Sequence, residues 1–212
     1  MTQLYRLDAD AVAIGRTFAA FTGNDPWAGG YLAPQQFAPV ITAGREFIAG
    51  PARERQQRRM IPRFWGVPPP PSAGDFSRAV LTVRNIESPF WIGNLRNAEF
   101  RCLVPATAFM EWGSETDYEG RRLRHWFAPG DQRPFAFAGV WKDSEVPSFA
   151  LLTCAPNARL RAIGRQSMPV ILPTDTAAQD IWLRAGWDRA SALLRPYPDD
   201  LLMEKVDQPS PR

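Results

Sequence analysis

Apolar and polar positions alternate in short bursts along most of the chain, and three stretches carry apolar residues at helical spacing instead. Residues Asp8 to Phe21 (DADAVAIGRTFAAF) read as a helix with an aspartate near its start. A second helix is expected from Thr174 to Leu183, opened by Pro173 and Thr174 and closed by Gly186, and a short third one from Asp188 to Leu194. Between them the pattern predicts strands at Phe37–Thr42, Glu46–Ala49, Ala79–Val83, Phe100–Val104, Ala108–Trp112, His125–Ala128, Phe135–Trp141, Ser148–Thr153 and Val170–Leu172. All are short, rich in β-branched or aromatic residues, and separated by Gly, Pro or Asp. Many strands and few helices imply an α+β fold around a curled, mostly antiparallel and barrel-like sheet. One domain over residues 1–205 is expected, with a polar tail over 206–212.

Composition narrows this picture. The 212 residues suffice for a substantial core, and 45% hydrophobic with 22% charged residues is a globular balance. Eight Trp and thirteen Phe supply aromatic surface for a core or for stacking on bases. The run Pro68-Pro69-Pro70-Pro71 is a stiff polyproline II connector, with a handle for a protein partner as its other reading. The opening MTQLYRLDADAV is too charged for a signal peptide, and no apolar stretch is long enough to cross a membrane. A cytoplasmic monomer is expected.

Net charge is only +3, but arginines cluster: Arg53, Arg55, Arg58, Arg59 and Arg63 in one group, Arg121, Arg122 and Arg124 in another. Arginine's planar fork suits phosphate oxygens, so these clusters read either as a nucleic-acid surface or as a solvated basic face. Two separated cysteines, Cys102 and Cys154, and one histidine, His125, do not compose a zinc site or a disulfide framework. No metal and no cofactor are expected.

Six segments in order resemble one family. They are the opening Thr2–Leu7 (TQLYRL), Arg63-Phe64-Trp65-Gly66-Val67-Pro68, Thr82-Val83-Arg84-Asn85 with Ser88–Trp91, Arg101–Ala106 with Phe109-Met110-Glu111-Trp112, Ala136–Trp141, and Met168–Leu172. From residue 2 to about residue 200 the chain is similar to the SOS response-associated peptidase family, which processes abasic sites in DNA. The resemblance implies that the residue after the initiator methionine captures the ring-opened aldehyde of an abasic site in single-stranded DNA. A cysteine does so there through its amine and thiol, giving a thiazolidine crosslink, while an Asn, a Glu and a His move protons. An autoproteolytic activity is also ascribed to the family.

Mapped onto this chain, Thr2 stands at the cysteine position, Thr82 at the asparagine, and Gly164 at the histidine; Glu111 is retained. His125 is expected on a different strand and not as a substitute. The resemblance further implies DNA contacts by Arg84 and Trp65, with Arg63, Phe64, Gly66 and Arg165 beside them. The expected function is therefore binding of single-stranded or abasic DNA in the damage response, with the crosslinking chemistry lost or weakened. Two alternatives stay open: capture of the aldehyde by the Thr2 amine, and a retired fold serving protein interaction.

Overall fold

The structure, a computed structural model, describes residues 2–45, 56–70, 79–131 and 133–207. The strand expected at Glu46–Ala49, the arginines Arg53 and Arg55, and Pro71 lie outside the described residues.

Helices begin where a side chain can satisfy the free N–H groups of the first turn. Asp10 accepts from Ala13 N at 2.7 Å and starts α1 (Ala11–Phe18), Asn157 accepts from Leu160 N and starts α3 (Ala158–Ala162), and Asp175 accepts from Ala178 N at 2.7 Å and starts α4 (Thr176–Arg184). α1 is shorter than its apolar pattern, because Ala19 turns left-handed at φ 49° and the next two residues join a sheet. Two short helices complete the set among the described residues, α2 (Ile92–Arg96) and α5 (Trp187–Ser191). α2 and α3 were not legible from periodicity, since five residues are too few to show a helical stripe.

The strands form two sheets. The first runs β13 (Leu202–Asp207), β9 (Arg122–Pro129), β8 (Ala108–Thr116), β1 (Leu4–Leu7), β3 (Gly30–Leu32), antiparallel throughout. The second runs β12 (Met168–Pro169), β11 (Ser148–Cys154), β10 (Phe135–Lys142), β7 (Arg101–Ala106), β4 (Phe37–Thr42), β5 (Arg58–Trp65), β2 (Ala20–Phe21). β5 also pairs in parallel with β11, at Ser148↔Phe64 and Phe149↔Trp65. That pairing curls the sheet into a ring without making a strict barrel. β6 (Thr82–Val83) adds to β11 in parallel. The α+β class and the curled, mostly antiparallel sheet are therefore as expected.

The strands depart from the sequence reading in several places: β1, β2, β3, β5 and β13 fall where no strand is expected, and the expected strand Val170–Leu172 is only a single bridge from Ile171 to Phe137 beyond β12. β5 reads as a basic motif because four of its residues are Arg or Pro, yet Pro62 sits opposite Pro39 of β4 and Ile61 opposite Val40. β13 extends through Val206 and Asp207, opposite His125 and Arg124, so the first two residues of the expected tail are strand. The expected strand Ala79–Val83 shrinks to β6 plus a single bridge from Val80 to Val67.

Aromatic residues from both sheets meet in one core. Tyr5 lies 5.1 Å from Trp65 and 5.9 Å edge-on from Phe137, and Trp65 stacks on Phe149. Burial raises the Tyr5 hydroxyl well above its ordinary pKa. This packing clamps β1, and with it Thr2, against β8.

Candidate functional site

β1 pairs with β8 at Leu4↔Met110, which leaves the chain just before β1 beside Glu111. Both side chains are buried, Glu111 with 1% exposure, and the Thr2 hydroxyl donates a short hydrogen bond to Glu111 Oε1. Arg165 brings its Nε to 2.9 Å from Glu111 Oε2. Burial pushes the Glu111 carboxyl up to about 7, against the opposing effect of the Thr2 hydrogen bond. A group titrating near neutrality can give or take a proton under ordinary conditions.

Gly164, which stands at the histidine position of the motif, acts through its backbone. It follows α3 at φ +81°, its N–H bonds Arg161 O at 2.9 Å, and the N–H of Arg165 bonds Leu160 O at 2.9 Å. This is the double bond pattern by which a left-handed glycine ends a helix. An added Cβ would come within 3.2 Å of Ser114. Gly164 thus turns the chain, and the residue it aims at the carboxylate is Arg165. Thr82 lies on β6, and Arg84, just past its end, is exposed.

The DNA-contact residues expected from the motifs separate by burial. Trp65 has 0% exposure, stacks in the core and donates its Nε1–H to Leu81 O at 3.2 Å, so it presents no face to a ligand. Arg63 is buried, with its guanidinium 4.6 Å from the Trp141 ring. Gly66 is buried at φ +131°, where a side chain would press on Ala79 at 3.0 Å. Phe64 is half-buried and meets the exposed Phe37 edge-on at 5.5 Å. Phe37 was missed in the sequence, where it read only as the first residue of a strand. The basic clusters separate too: Arg58 is buried, Arg121 pairs with Asp117 at 3.0 Å and Glu119 at 2.8 Å, and Arg124 pairs with Asp207 at 3.2 Å.

His125 is on a different strand from Glu111, as expected, but on the adjacent one. The two are directly opposed in the β8–β9 ladder, so the strand separation that argued against its participation does not keep it from the site.

The ring-closed α+β sheet thus buries the Thr2 hydroxyl against the Glu111 carboxylate and brings the loop residue Arg165 to the same carboxylate. Residues 5–209 match the family described as SOS response associated peptidase (SRAP), and the chain belongs to that family. The family is associated with the SOS response and with handling of abasic-site DNA. No curated protein matches the sequence. Among solved structures, a protein from Bordetella bronchiseptica is similar over 97% of this chain and 99% of its own, with TM-score 0.75 and 22% identity. A protein from Bacteroides thetaiotaomicron is similar at TM-score 0.75 and 17% identity, covering 97% of this chain and 91% of its own. A phage-related protein from Bordetella bronchiseptica reaches TM-score 0.70 at 18% identity, over 98% and 94% of the two chains. Identities this low speak for the fold. Among the described residues no helix is long and apolar enough to cross a membrane.

Proposed function

We propose that this chain binds single-stranded DNA, including strands with an abasic site, and that durable crosslinking is lost or weakened. The observation that carries the reading is the Thr2–Glu111–Arg165 cluster. It keeps a carboxylate titrating near pH 7 beside a guanidinium, but places a hydroxyl where a thiol would be needed for a stable sulfur ring. Arg165 and the exposed Arg84 supply phosphate contacts, and the Phe37–Phe64 pair supplies a face for a base, the combination by which single strands are gripped without sequence preference. Trp65 contributes from beneath, by holding β5 and Phe64 in place.

Fluorescence anisotropy with a labelled single strand tests this. Affinity is expected to fall steeply with salt, and Arg84→Ala is expected to reduce the slope of log K against log salt by about 0.7, the single-strand value for one phosphate. Affinity indifferent to salt would sink the reading and favour protein interaction.

A second reading is favoured by the near-neutral Glu111. The Thr2 amine, once freed by removal of Met1, condenses with the abasic aldehyde and Glu111 supplies the proton for loss of water. Borohydride trapping on an abasic strand tests it, with mass spectrometry to establish the N-terminus. Trapping that persists in Thr2→Ala and maps to the N-terminal peptide by mass spectrometry identifies the α-amine as the nucleophile; absence of trapping, or a crosslink on a lysine, eliminates the reading.

A further inference from the structure

β8 and β9 place Glu111 and His125 side by side in register, where opposed Cβ atoms are about 5 Å apart. His125 is buried at 5% exposure, and its Nδ1 lies 2.6 Å from Glu204 Oε1 on β13. A carboxylate accepts from Nδ1–H, and in a neutral ring this leaves the lone pair on Nε2. That Nε2 is buried and has no hydrogen-bond partner among the described residues. A buried polar atom without a partner carries a desolvation penalty, and such atoms call for an explanation.

The surroundings give one. A Cβ at position 113 would stand 2.4 Å from His125 Nε2 and 2.9 Å from its Cδ2. The ring therefore reaches across Gly113, two residues beyond Glu111, and only glycine leaves it room. The next residue, Ser114, donates its N–H to Ile163 O at 3.1 Å, which ties β8 to the turn carrying Gly164 and Arg165. One short segment of β8 thus has Thr2 and Arg165 at its carboxylate, and a carboxylate-braced imidazole at its glycine. The ring is stacked 14° from parallel with Phe127, which fixes its plane.

We infer that His125, oriented by Glu204, is the hydrogen-bond and proton acceptor of the site, its Nε2 receiving a hydroxyl of the bound ligand. The inference rests on the reading of the Thr2–Glu111–Arg165 cluster as the DNA site and assigns that site a sugar hydroxyl as the group recognised. The Nε2 of His125 then stands as an acceptor on the same stretch of β8 whose carboxylate is engaged by Thr2 and Arg165. Glu204 is a positioning residue, which holds the tautomer and touches no ligand itself.

The chain has a single histidine, so every histidine signal in a spectrum of the protein is His125. In protein labelled with nitrogen-15 histidine, followed upward in pH until the ring resonances stop moving, the proton is expected on Nδ1 and the lone pair on Nε2. A proton on Nε2 overturns the assignment whether or not DNA binds. Two single strands then separate the inference from the reading it rests on: one with a natural abasic sugar, one with a tetrahydrofuran abasic site that lacks the anomeric hydroxyl. With both bound by anisotropy, the Nε2 resonance is expected to move with the first strand and stay with the second. Equal response, or none, in strands that bind overturns the role of His125 while leaving DNA binding intact. Failure of both strands to bind removes the DNA reading, and the free-protein tautomer still decides for or against an acceptor at Nε2. His125→Phe is expected to erase a preference of roughly 3- to 10-fold for the hydroxyl-bearing strand, the range of one hydrogen bond.

Discussion

Arg58 and Arg165 each face a carboxylate on another element, yet they do opposite things. Arg58 lies 3.2 Å from Asp180 and also donates to Phe18 O at 2.8 Å, Gln179 Oε1 at 2.8 Å and Thr176 O at 3.1 Å. Its acceptors come from the end of α1 and the start of α4, so one guanidinium ties both helices to β5. Arg165 has a far sparser setting. It is partly exposed, and the carboxylate it approaches is more deeply buried than it is. Where both terminal nitrogens are held by several acceptors inside the protein, the arginine is architecture. Where a carboxylate is buried until its pKa reaches about 7 with a cation beside it, the arrangement suits the ligand site proposed above.

The largest expected effect comes from the closed cluster. Arg58→Met leaves the Phe18 and Thr176 carbonyls and the Gln179 amide oxygen without their donor, and should cost about 3 kcal/mol in chemical denaturation. Single-strand affinity measured below the unfolding transition should be unchanged. Weakened DNA binding in the folded variant would break the comparison, because it would give Arg58 a share in the site.

Glu111→Gln tests the other side. The folded carboxyl titrates near 7, above its ordinary 4.5, so between these values the native state holds more protons than the unfolded chain. Stability should therefore fall as pH rises through this window, by on the order of 2–3 kcal/mol. The glutamine variant should lose that slope and overtake the parent chain above pH 7. A parent whose stability is flat from pH 5 to 8 would show that Glu111 stays ionised, paired with Arg165 as firmly as Asp180 is with Arg58.

Some of this was readable from residues alone. The strand Phe37–Thr42 has the bounds its pattern predicts, and the helices near Asp10 and Asp175 follow from residue types that cap. β5 was hidden because Arg58 and Arg63 look like surface charge, and burial of an arginine depends on acceptors contributed from far along the chain. Glu111 and Thr2 came from a motif resemblance, which carries residue identity but no register. The adjacency of His125 to Glu111 exists only once β8 and β9 are paired residue by residue. Likewise the choice between Gly164 and Arg165 depends on a backbone angle, because a left-handed residue ending α3 decides which neighbour points inward.

That backbone angle sets the next effect in size. Gly164→Ala places a Cβ at φ +81° and 3.2 Å from Ser114, and should cost about 1 kcal/mol in stability. Because the same turn aims Arg165, single-strand affinity should fall with it. A loss of stability with affinity unchanged would mean that Arg165 is not a phosphate contact.

The smallest stability effect is expected at Arg165 itself, and here the comparison is sharpest. Breaking a buried ion pair usually costs 3–5 kcal/mol by the general range, about as much as removing Arg58 donors, since the remaining charge is stranded. Glu111 has a way out that an ordinary stranded carboxylate lacks. Already titrating near 7, it takes up a proton once the guanidinium is gone, and becomes a neutral acid hydrogen-bonded to Thr2. Arg165→Gln should therefore cost less than about 1 kcal/mol at pH 6. Its cost should grow with pH, because removing a nearby cation raises the carboxyl further and moves the fall in stability to a higher midpoint. Denaturation at pH 6 and pH 8 separates the cases. A cost equal at both values and as large as that of Arg58→Met would make Arg165 a second architectural arginine; a small cost that rises with pH, together with weakened single-strand binding, marks a cation kept at the mouth of the site for a ligand's charge.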